Sequence, residues 1–478
     1  MSLGSILNSA RSGMLASQRA VEVTANNIAN ASTPGYARQR VEQSTMIPER
    51  FAQGEFGAGV VVEGSTRARD AYLDAAYRRA SGDAAGGNIR SGVLGRMEAL
   101  LGEPSDNGLS AALDTFYNAW SDFAARPTAA GAQAAVQQAG AAVAEQLNRA
   151  GNQLASLAGE VRNNLEGVVT EVNDITASIA ELNRSIVALE ADGHSANALR
   201  DARDVRLDRL AELTGGEVIE RANGSVAVLV NGLLLVDGVE RRELAATTIG
   251  GALEVTRADL PNRPLQIGGT LGGIRTASTA DIPRLQAELD SFARGIVESV
   301  NALHRTGVTW SGTPPVAANA GDFFASDPLV AAELDPLRTA RGIRLDSAIA
   351  ANPTAVAASP ATATGPGDAS LALQIAQLRD RPVPFTDSTG ATIATESVGD
   401  FFRRITTDSA FLARSVGDRA EVDAALTTQA ESRRQEVSGV SIDEELVRLI
   451  KFQQAYAAAA RMIQTVDQMS QTLLDIRR

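Results

Sequence analysis

The residue types that carry most enzyme chemistry are scarce in this chain of 478 residues. It contains no cysteine, and its two histidines are His194 and His304. Composition therefore excludes a disulfide, a thiolate nucleophile and a cysteine-ligated metal. His304 stands beside Arg305 and offers no metal site without partner ligands, and a Ser-His-Asp triad has almost no candidate histidines. We therefore predict no enzyme activity, no catalytic residues and no metal site.

Two further segments contain residue types that are common in binding sites. Residues 268–273 (Gly-Gly-Thr-Leu-Gly-Gly) lack both the glycine order of a dinucleotide-binding loop and the lysine of a phosphate-binding loop. We interpret them as a flexible return from a sheet, with no cofactor. Residues 443–445 (Asp-Glu-Glu) follow Ser441 at the predicted start of a helix, where acidic side chains are favourable and serine can cap.

The formal net charge of −13 describes a generally acidic surface. Such a surface argues against nucleic acid as the main partner, because phosphate binding needs concentrated lysine and arginine. No stretch reaches the roughly 18 apolar residues of a membrane span, so membrane insertion is not expected. The amino terminus lacks a basic region followed by an apolar run, which argues against a Sec signal peptide. The chain looks cytoplasmic unless it is exported without a cleaved signal.

Both ends of the chain have an apolar seam typical of coiled coils. Apolar residues recur at alternating steps of four and three, and Pro34-Gly35 should end the first helix. A lone amphipathic helix of about 30 residues is marginal in water, so these seams must be buried on each other or on neighbouring subunits. The seam residues expected to form this assembly interface are Leu3, Leu7, Met14, Val21, Ile28, Ile442, Leu446, Leu449, Tyr456 and Ile463.

Between the termini the hydrophobic period changes. Residues 147–189 keep the four-three alternation without a break, which predicts a helical rod on the order of 65 Å. Residues 216–275 change to period two, with Asn-Gly pairs that predict β-hairpins. Two separate helices are expected at 67–80 and 92–101. We therefore predict a mainly α fold with a β-rich insertion (α+β), in which the terminal helices form a coiled coil. The predicted parts are a terminal coiled-coil domain (1–40 and 438–478), a long antiparallel helix domain (41–215, 276–305 and 367–437), the β-rich insertion (216–275) and an irregular or small domain (306–366).

Two groups of polar residues leave alternatives open. Asn26, Asn27 and Asn30 could form a contact between subunits, or they could cap the first helix before Pro34. We favour the contact, because capping accounts for only one asparagine. The charged residues within 201–204 are interpreted as a solvated or salt-bridged helix face.

Motifs at both ends resemble those of one protein family. Residues 25–36 (Ala-Asn-Asn-Ile-Ala-Asn-Ala-Ser-Thr-Pro-Gly-Tyr) resemble the amino-terminal signature of flagellar rod, hook and hook-associated proteins. Residues 438–446 (Ser-Gly-Val-Ser-Ile-Asp-Glu-Glu-Leu) and 449–456 (Leu-Ile-Lys-Phe-Gln-Gln-Ala-Tyr) are similar to the matching carboxyl-terminal helix. Two internal segments, 200–204 (Arg-Asp-Ala-Arg-Asp) and 321–324 (Gly-Asp-Phe-Phe), favour the hook-associated proteins within that family.

The resemblance implies an architecture and a role. The terminal helices would pair as an inner domain that lines an axial channel, with the long helices around it and the β-rich domains outermost. The chain would be secreted unfolded through the flagellar secretion system, without a cleaved signal peptide. It would polymerise as a ring at the distal end of the hook and form the hook–filament junction required for filament assembly. The implied partners are further copies of the chain, the hook protein, a second junction hook-associated protein, and an export chaperone on the carboxyl-terminal helix.

Two alternative functions remain. Another axial protein, of the hook or the distal rod, would share the terminal motifs, although a mainly β hook protein should lack the heptads of 147–189. A secreted adhesin would instead carry its function in residues 216–275. For the junction role, we expect the terminal helices, roughly 1–33 and 440–478, to be poorly ordered in the free chain and to fold on assembly.

Overall fold

The computed structural model describes residues 3–51, 54–103, 105–129, 131–311, 316–326 and 339–476. The outermost residues of the predicted terminal domain, and 312–315 and 327–338 of the predicted irregular region, lie outside these ranges. The mainly α fold with β-rich insertions is confirmed. The helices are α1 Leu3–Ala29, α2 Ala71–Leu101, α3 Leu109–Ala125, α4 Ala132–Ala191, α5 Asn197–Thr214, α6 Gly269–Thr276, α7 Ile282–His304, α8 Thr339–Gly342, α9 Ser347–Ala351, α10 Ser370–Ala376, α11 Val398–Ser438 and α12 Ile442–Ile476.

The strands form several small sheets, and every described strand pair is antiparallel. Their sheet orders are β1-β4, β2-β3, β5-β6-β7-β8, β11-β10-β9, β13-β12-β16, β14-β15 and β17-β18. The strands are β1 Gln39–Thr45, β2 Glu49–Phe51, β3 Gly54–Phe56, β4 Val60–Arg67, β5 Glu217–Glu220, β6 Val226–Val230, β7 Leu233–Asp237, β8 Glu240–Arg241, β9 Leu244–Ile249, β10 Ala252–Arg257, β11 Leu260–Pro264, β12 Gly307–Ser311, β13 Val316–Asn319, β14 Phe324–Ser326, β15 Ile343–Leu345, β16 Ser359–Pro360, β17 Val383–Thr386 and β18 Thr392–Glu396.

Helix α4 is the rod predicted from the unbroken heptads, but it is longer than predicted. It has 60 residues, which corresponds to about 90 Å at 1.5 Å per residue. The predicted seam is its buried stripe, and the stripe continues toward the amino terminus through Ala139 and Val143. The sequence pattern does not predict this first part of the helix, because it is rich in alanine and small residues give a weak amphipathic signal. The rod is covered along its length by α3, α5, α7 and the sheets that follow α5.

Helix α2 is continuous where the sequence predicts two separate helices. Its glycines are sites of close packing rather than breaks. A Cβ atom at Gly86 would stand 2.7 Å from the carbonyl oxygen of Gly269, and one at Gly87 would stand 3.2 Å from the Cβ of Ala420. Because tertiary contacts with α6 and α11 stabilise the helix there, the cost of glycine in a helix interior is offset.

The β-rich insertion has the predicted hairpins. The β6–β7 connection is Asn231-Gly232, and both residues are in the left-handed region, with φ of 45° and 83°. Two consecutive positive φ angles are the conformation of a type I′ turn, which Asn-Gly favours. The sheet packs on α4, where the Asn183 amide donates to the carbonyl oxygens of Val226 and Gly238.

An aromatic cluster joins the described part of residues 306–366 to the helical body. Phe323 and Phe324 are fully buried and pack on Phe116 and Trp120 of α3. The division into domains stays a prediction, but these residues share one hydrophobic core with α3, α4 and α7.

His304 is a buried member of this core. Its Nδ1 lies 2.7 Å from the carbonyl oxygen of Gly321, and its Nε2 accepts from the backbone N–H of Ala357 at 3.1 Å. Burial lowers the pKa of His304, so the ring stays neutral with both nitrogens in use. Within the described ranges, no group of three or more histidine, aspartate or glutamate residues is placed to hold a metal ion. The helices of those ranges include none that is long and apolar enough to cross a membrane.

The contact between α2 and α6 generates a stability prediction. A Cβ at Gly273 would collide with the Gly86 carbonyl oxygen and the Ile89 side chain. We therefore expect Gly273→Ala to lower the free energy of unfolding by about 1–3 kcal/mol, measured by chemical denaturation. The control is Gly159→Ala in α4, where a Cβ would meet open space. That change should be neutral or stabilising by up to about 1 kcal/mol, and an equal loss in both variants would contradict the packing argument.

Candidate assembly surface

The two terminal helices pack along each other as an antiparallel pair, which we call the terminal pair (α1 and α12). The end of α1 meets the beginning of α12, because the Nδ2 of Asn27 donates to Glu445 at 2.9 Å. The buried face of α1 consists almost entirely of small or short polar side chains, which allow close approach of the two backbones. Its buried residues are Ser5, Ala10, Ala16, Ser17, Ala20, Thr24 and Asn27.

The terminal pair lies outside the main hydrophobic core. None of the described residues of α1 or α12 belongs to that core. Among the residues of α12 whose burial is described, 442–475, only Glu445 and Val466 are buried. Because burial of apolar area is the dominant stabilising term in folding, the pair gains little of it within a single chain.

Large apolar side chains remain exposed on α12. Residues Ile442, Leu446 and Ile450 recur every four positions, so they lie on one face of the helix. Further along, Met462, Met469 and Leu473 recur at steps of seven and four. At about 3.6 residues per turn, the second group lies roughly half a turn around the helix from the first, so α12 exposes two apolar faces. Exposed apolar surface of this extent usually marks an interaction site.

The predicted seam residues lie at the edge of the terminal pair rather than in its centre. Four of them are largely exposed and the other six are half-buried, so each retains apolar surface for a further partner. The exposed ones are Leu7, Ile442, Leu446 and Tyr456, and the half-buried ones are Leu3, Met14, Val21, Ile28, Leu449 and Ile463. Their burial in an assembly stays a prediction.

Asn27 connects three parts of the chain. Its Oδ1 accepts from the Tyr36 hydroxyl at 2.8 Å and from the Gln39 backbone N–H at 2.9 Å. Its Nδ2 donates to the Gln39 carbonyl oxygen and to Glu445, each at 2.9 Å. These four bonds use the full capacity of the amide, and the residue is 1% exposed. The structure therefore gives Asn27 a role within the chain, which leaves its amide no capacity for a neighbouring subunit.

Asn26 and Asn30 act locally at the end of α1. The Asn30 Nδ2 donates to the carbonyl oxygen of Asn26 at 3.0 Å and to its side-chain oxygen at 2.7 Å. The Asn30 side chain therefore satisfies a carbonyl oxygen at the end of α1, as the capping alternative predicts. Asn26 is exposed and Asn30 is half-buried, so their contact with a neighbouring subunit stays a prediction.

Three residues at the contact between α1, β1 and α12 were not predicted from the sequence. Tyr36 donates to Asn27, and burial, with Asp201 and Glu445 nearby, raises the pKa of Tyr36 to about 12, so the donor proton is retained. Arg38 pairs with Glu444 at 3.3 Å. Glu445 was interpreted only as an acid at a helix start. Isolated polar residues have no periodicity, so only the tertiary structure identifies these pairings.

An ion-pair network holds the segment that follows α1 onto α5. Arg67 pairs with Asp201 at 2.9 Å and with Asp204 at 2.6 Å, while Asp201 also accepts from the backbone N–H of Ala37. Burial opposes ionisation of Asp204, yet the guanidiniums of Arg67, Arg69 and neighbouring Arg78 lower its pKa. The interpretation of residues 201–204 as a salt-bridged face is confirmed, but these side chains are buried rather than solvated.

The same network reaches α2 and α11. Asp208 pairs with Arg78 at 2.7 Å and with Arg434 at 2.5 Å, and the Arg434 guanidinium lies 3.8 Å from the centre of the Tyr77 ring. Arg69 pairs with Asp74 at 2.7 Å. The segment that follows α1 and the end of α11, which precedes α12, are therefore both held by one charged cluster on the helical body.

Three family models match the chain. Residues 94–324 match "Flagellar hook-associated protein FlgK helical domain", residues 431–476 match "Flagellar basal body rod FlgEFG protein C-terminal", and residues 7–36 match "Flagella basal body rod protein". Together the three ranges cover more than half of the chain, and the two terminal ranges fall on the terminal pair.

Full-length relatives are similar to the chain from end to end. It is 29% identical to flagellar hook-associated protein 1 of Bacillus subtilis (strain 168), over 97% of the chain and 96% of that relative. It is 26% identical to the protein of the same name from Salmonella typhimurium, over 99% and 100%. The solved structure of the flagellar hook junction protein FlgK from Burkholderia pseudomallei aligns with a TM-score of 0.64 at 17% identity, over 77% of this chain and all of that one, which shows a shared fold.

The hydrogen bonds of Asn27 generate a second prediction. Asn27→Ala would remove the hydrogen bond to the buried carboxylate of Glu445, which would keep only its ion pair with Arg448 at 3.3 Å, and both bonds to the Gln39 backbone. We expect the terminal pair to lose about 2–4 kcal/mol, seen as an earlier loss of helical circular dichroism on heating. Asn8→Ala, at an exposed position of the same helix, is the matched control and should leave the melting curve unchanged. Equal curves for the two variants would contradict the proposed importance of Asn27.

Proposed function

Because the chain belongs to the flagellar hook-associated protein family, we propose that it polymerises as a ring at the distal end of the hook and forms the hook–filament junction. It is a structural component of the bacterial flagellum. The filament would assemble on this ring. The observation that carries the proposal is the exposed apolar surface of α12, which a single chain leaves uncovered.

The proposed mechanism is packing between copies. Full burial of one leucine, isoleucine or methionine side chain is worth about 1.5–3 kcal/mol relative to full exposure. Several half-exposed residues of this kind on each copy therefore contribute to association and offset part of the entropy that binding and ordering cost. The small side chains on α1 keep the large ones at the edge of the pair, where a neighbour can reach them.

The proposed partners follow from this surface and from the family. Copies of the chain would bind one another laterally, the hook protein would lie below the ring, and a second junction hook-associated protein would lie above it. An export chaperone on α12 would cover its exposed apolar face before assembly. We further propose export through the flagellar secretion system as an unfolded chain, without a cleaved signal peptide.

The proposed role requires no catalytic centre. Packing and hydrogen bonding account for all of its steps, so we infer that the chain is not an enzyme. The match of residues 94–324 to the helical domain of hook-associated proteins favours the junction over a hook or distal rod position. It also favours the junction over an adhesin, because the β-rich insertion lies within that matched range.

We propose that the terminal pair is only marginally stable in the free chain, where it opens frequently, and that it becomes fully ordered on assembly. Its interface buries mostly alanine, serine and threonine side chains, and none of its described residues belongs to the main core. In the isolated chain, backbone amides of 3–29 and 442–476 should therefore exchange with deuterium much faster than those of 147–189. Strong protection of both ends would contradict folding on assembly while leaving the junction role untouched.

A charge on the exposed face of α12 tests the assembly mechanism. Leu446 is 43% exposed, so Leu446→Asp should leave the free chain folded and soluble but prevent its incorporation into flagella. Leu449 is a less discriminating position, because it is half-buried within the chain. Swimming in soft agar and the amount of the protein in purified flagella are the measurements.

The matched control is Leu373→Asp in α10, at 48% exposure on the helical body. This variant should swim normally. Normal swimming of Leu446→Asp, with normal amounts in the flagellum, would show that this face does not mediate assembly.

A further inference from the structure

A cavity of about 400 Å³ lies on the helical body, where α2 and α5 meet the first strands of the β-rich insertion. It borders the ion-pair network on α5 and shares part of its wall with that network. Five arginines and four carboxylates line it, so the wall has a formal excess of one positive charge. These charged residues are Arg67, Arg69, Arg78, Arg79 and Arg203, with Asp74, Asp204, Glu217 and Glu220.

The four carboxylates of the cavity wall are all engaged in ion pairs with arginines. The longest of the pairs that follow, between Arg79 and Glu217, is 3.3 Å. Arg78 pairs with Asp208, outside the wall, at 2.7 Å. Within the described ranges, Arg203 is therefore the arginine of the wall that is left without a carboxylate of its own. The wall pairs are Asp74 with Arg69, Asp204 with Arg67, Glu217 with Arg79, and Glu220 with Arg200.

Arg203 is a buried cation without a close counter-charge. It is 1% exposed, and among the described carboxylates only that of Glu220 comes within ion-pair distance, at 4.0 Å. Its Nη1 donates to two neutral acceptors, the Asn183 side-chain oxygen at 3.0 Å and the Gly224 carbonyl oxygen at 2.7 Å. Burial lowers the pKa of Arg203 to about 10, so the guanidinium keeps its charge at neutral pH. A buried charge of this kind is costly unless a partner of opposite sign is supplied.

Three guanidinium groups of the wall have donor capacity that the chain does not use. The Nε of Arg203, the Nε of Arg69 and the Nη2 of Arg78 are buried, and none of them has a hydrogen-bond acceptor among the residues that the structure describes. Buried donors in native proteins are rarely left without a partner. Because the three side chains line one cavity, an acceptor that carries several oxygens and a negative charge matches this wall.

We propose that the cavity binds a small tetrahedral oxyanion, with inorganic phosphate as the ligand to test, beside Arg203. The planar guanidinium group recognises phosphate oxygens through parallel N–H donors, and such charge-assisted bonds are among the strong ones. The anion would balance the excess charge of the wall and supply the counter-charge that Arg203 lacks. Ala75 and Arg79 are exposed members of the wall, so the ligand can enter from solvent beside them.

This site goes beyond the proposed function and does not depend on it, because it is built entirely within one chain. It nevertheless adjoins the cluster that holds the segment after α1. Arg67, Arg69 and Arg78 belong to both. A bound anion would therefore stabilise the region from which the terminal pair extends.

The test is isothermal titration calorimetry of the purified full-length chain with inorganic phosphate, at neutral pH and at an ionic strength held constant with chloride. We expect saturable binding of one phosphate per chain. Ala75→Glu places a competing carboxylate at the cavity wall and should weaken binding by about tenfold or more. Ala76→Glu is the matched control, because it adds the same charge at the next exposed residue of α2, which does not line the cavity. This control should bind phosphate as the wild-type chain does.

Three results would overturn the proposed site. The wild-type chain could take up no phosphate at millimolar concentration. Ala75→Glu could bind as tightly as the wild-type chain, which would place any bound phosphate elsewhere. Both variants could lose binding equally, which would show a general charge effect. Circular dichroism of the two variants checks that each remains folded.

A second measurement addresses Arg203 itself. Arg203→Gln removes the buried charge, so phosphate should raise the melting temperature of the wild-type chain more than that of this variant. Phosphate also stabilises proteins generally, by exclusion from their surface, and that effect is the same for both chains. Equal shifts would therefore contradict a role for Arg203 in binding. If Arg203→Gln does not fold, the comparison of Ala75→Glu with Ala76→Glu still decides, because neither change touches Arg203.

Discussion

The packing of α1 against α12 through small side chains is the constraint on which the rest of the assembly argument depends. Alanine and serine at the centre of the interface bring the two backbones close together. The larger residues of the heptad seams cannot fit between them and are left at the edge. The pair therefore forms within one chain but keeps unburied apolar surface, so its free energy is lowest when a neighbour covers that surface.

Buried polar groups decide how this pair is oriented on the helical body. Asn27 joins α1 to both β1 and α12, and Arg67 at the end of β4 pairs with Asp201 and Asp204 on α5. Such buried networks contribute little net stability, since desolvation of the charges offsets much of their attraction. They do restrict geometry, because any other arrangement leaves a charge or an amide buried without a partner. In the proposed ring, a defined angle between pair and body would give every copy the same geometry.

The helical body is stabilised by a different interaction. Its main core contains the aromatic cluster around Trp120 and Phe323 and extends along α4 from Val136 to Ile179. The same fold is present in a junction protein with which the chain shares 17% identity. Conservation of such a fold at low identity is expected when packing volume and periodicity, rather than particular side chains, determine the core.

The sequence by itself determined where the long helices and one β-turn lie and which chemistry the side chains can perform. Heptads predicted α4 and the terminal helices, Asn-Gly predicted the β6–β7 turn, and the absence of cysteine excluded thiol chemistry. Only the tertiary structure showed that α2 runs unbroken through its glycines and that α1 buries small residues while the large residues of its seam stay at the edge of the pair. Only the tertiary structure showed that Asn27 donates a hydrogen bond to Glu445. The reason is physical: periodicity records which side of an element is apolar, whereas the choice among small-residue faces and polar partners depends on contacts between residues hundreds of positions apart.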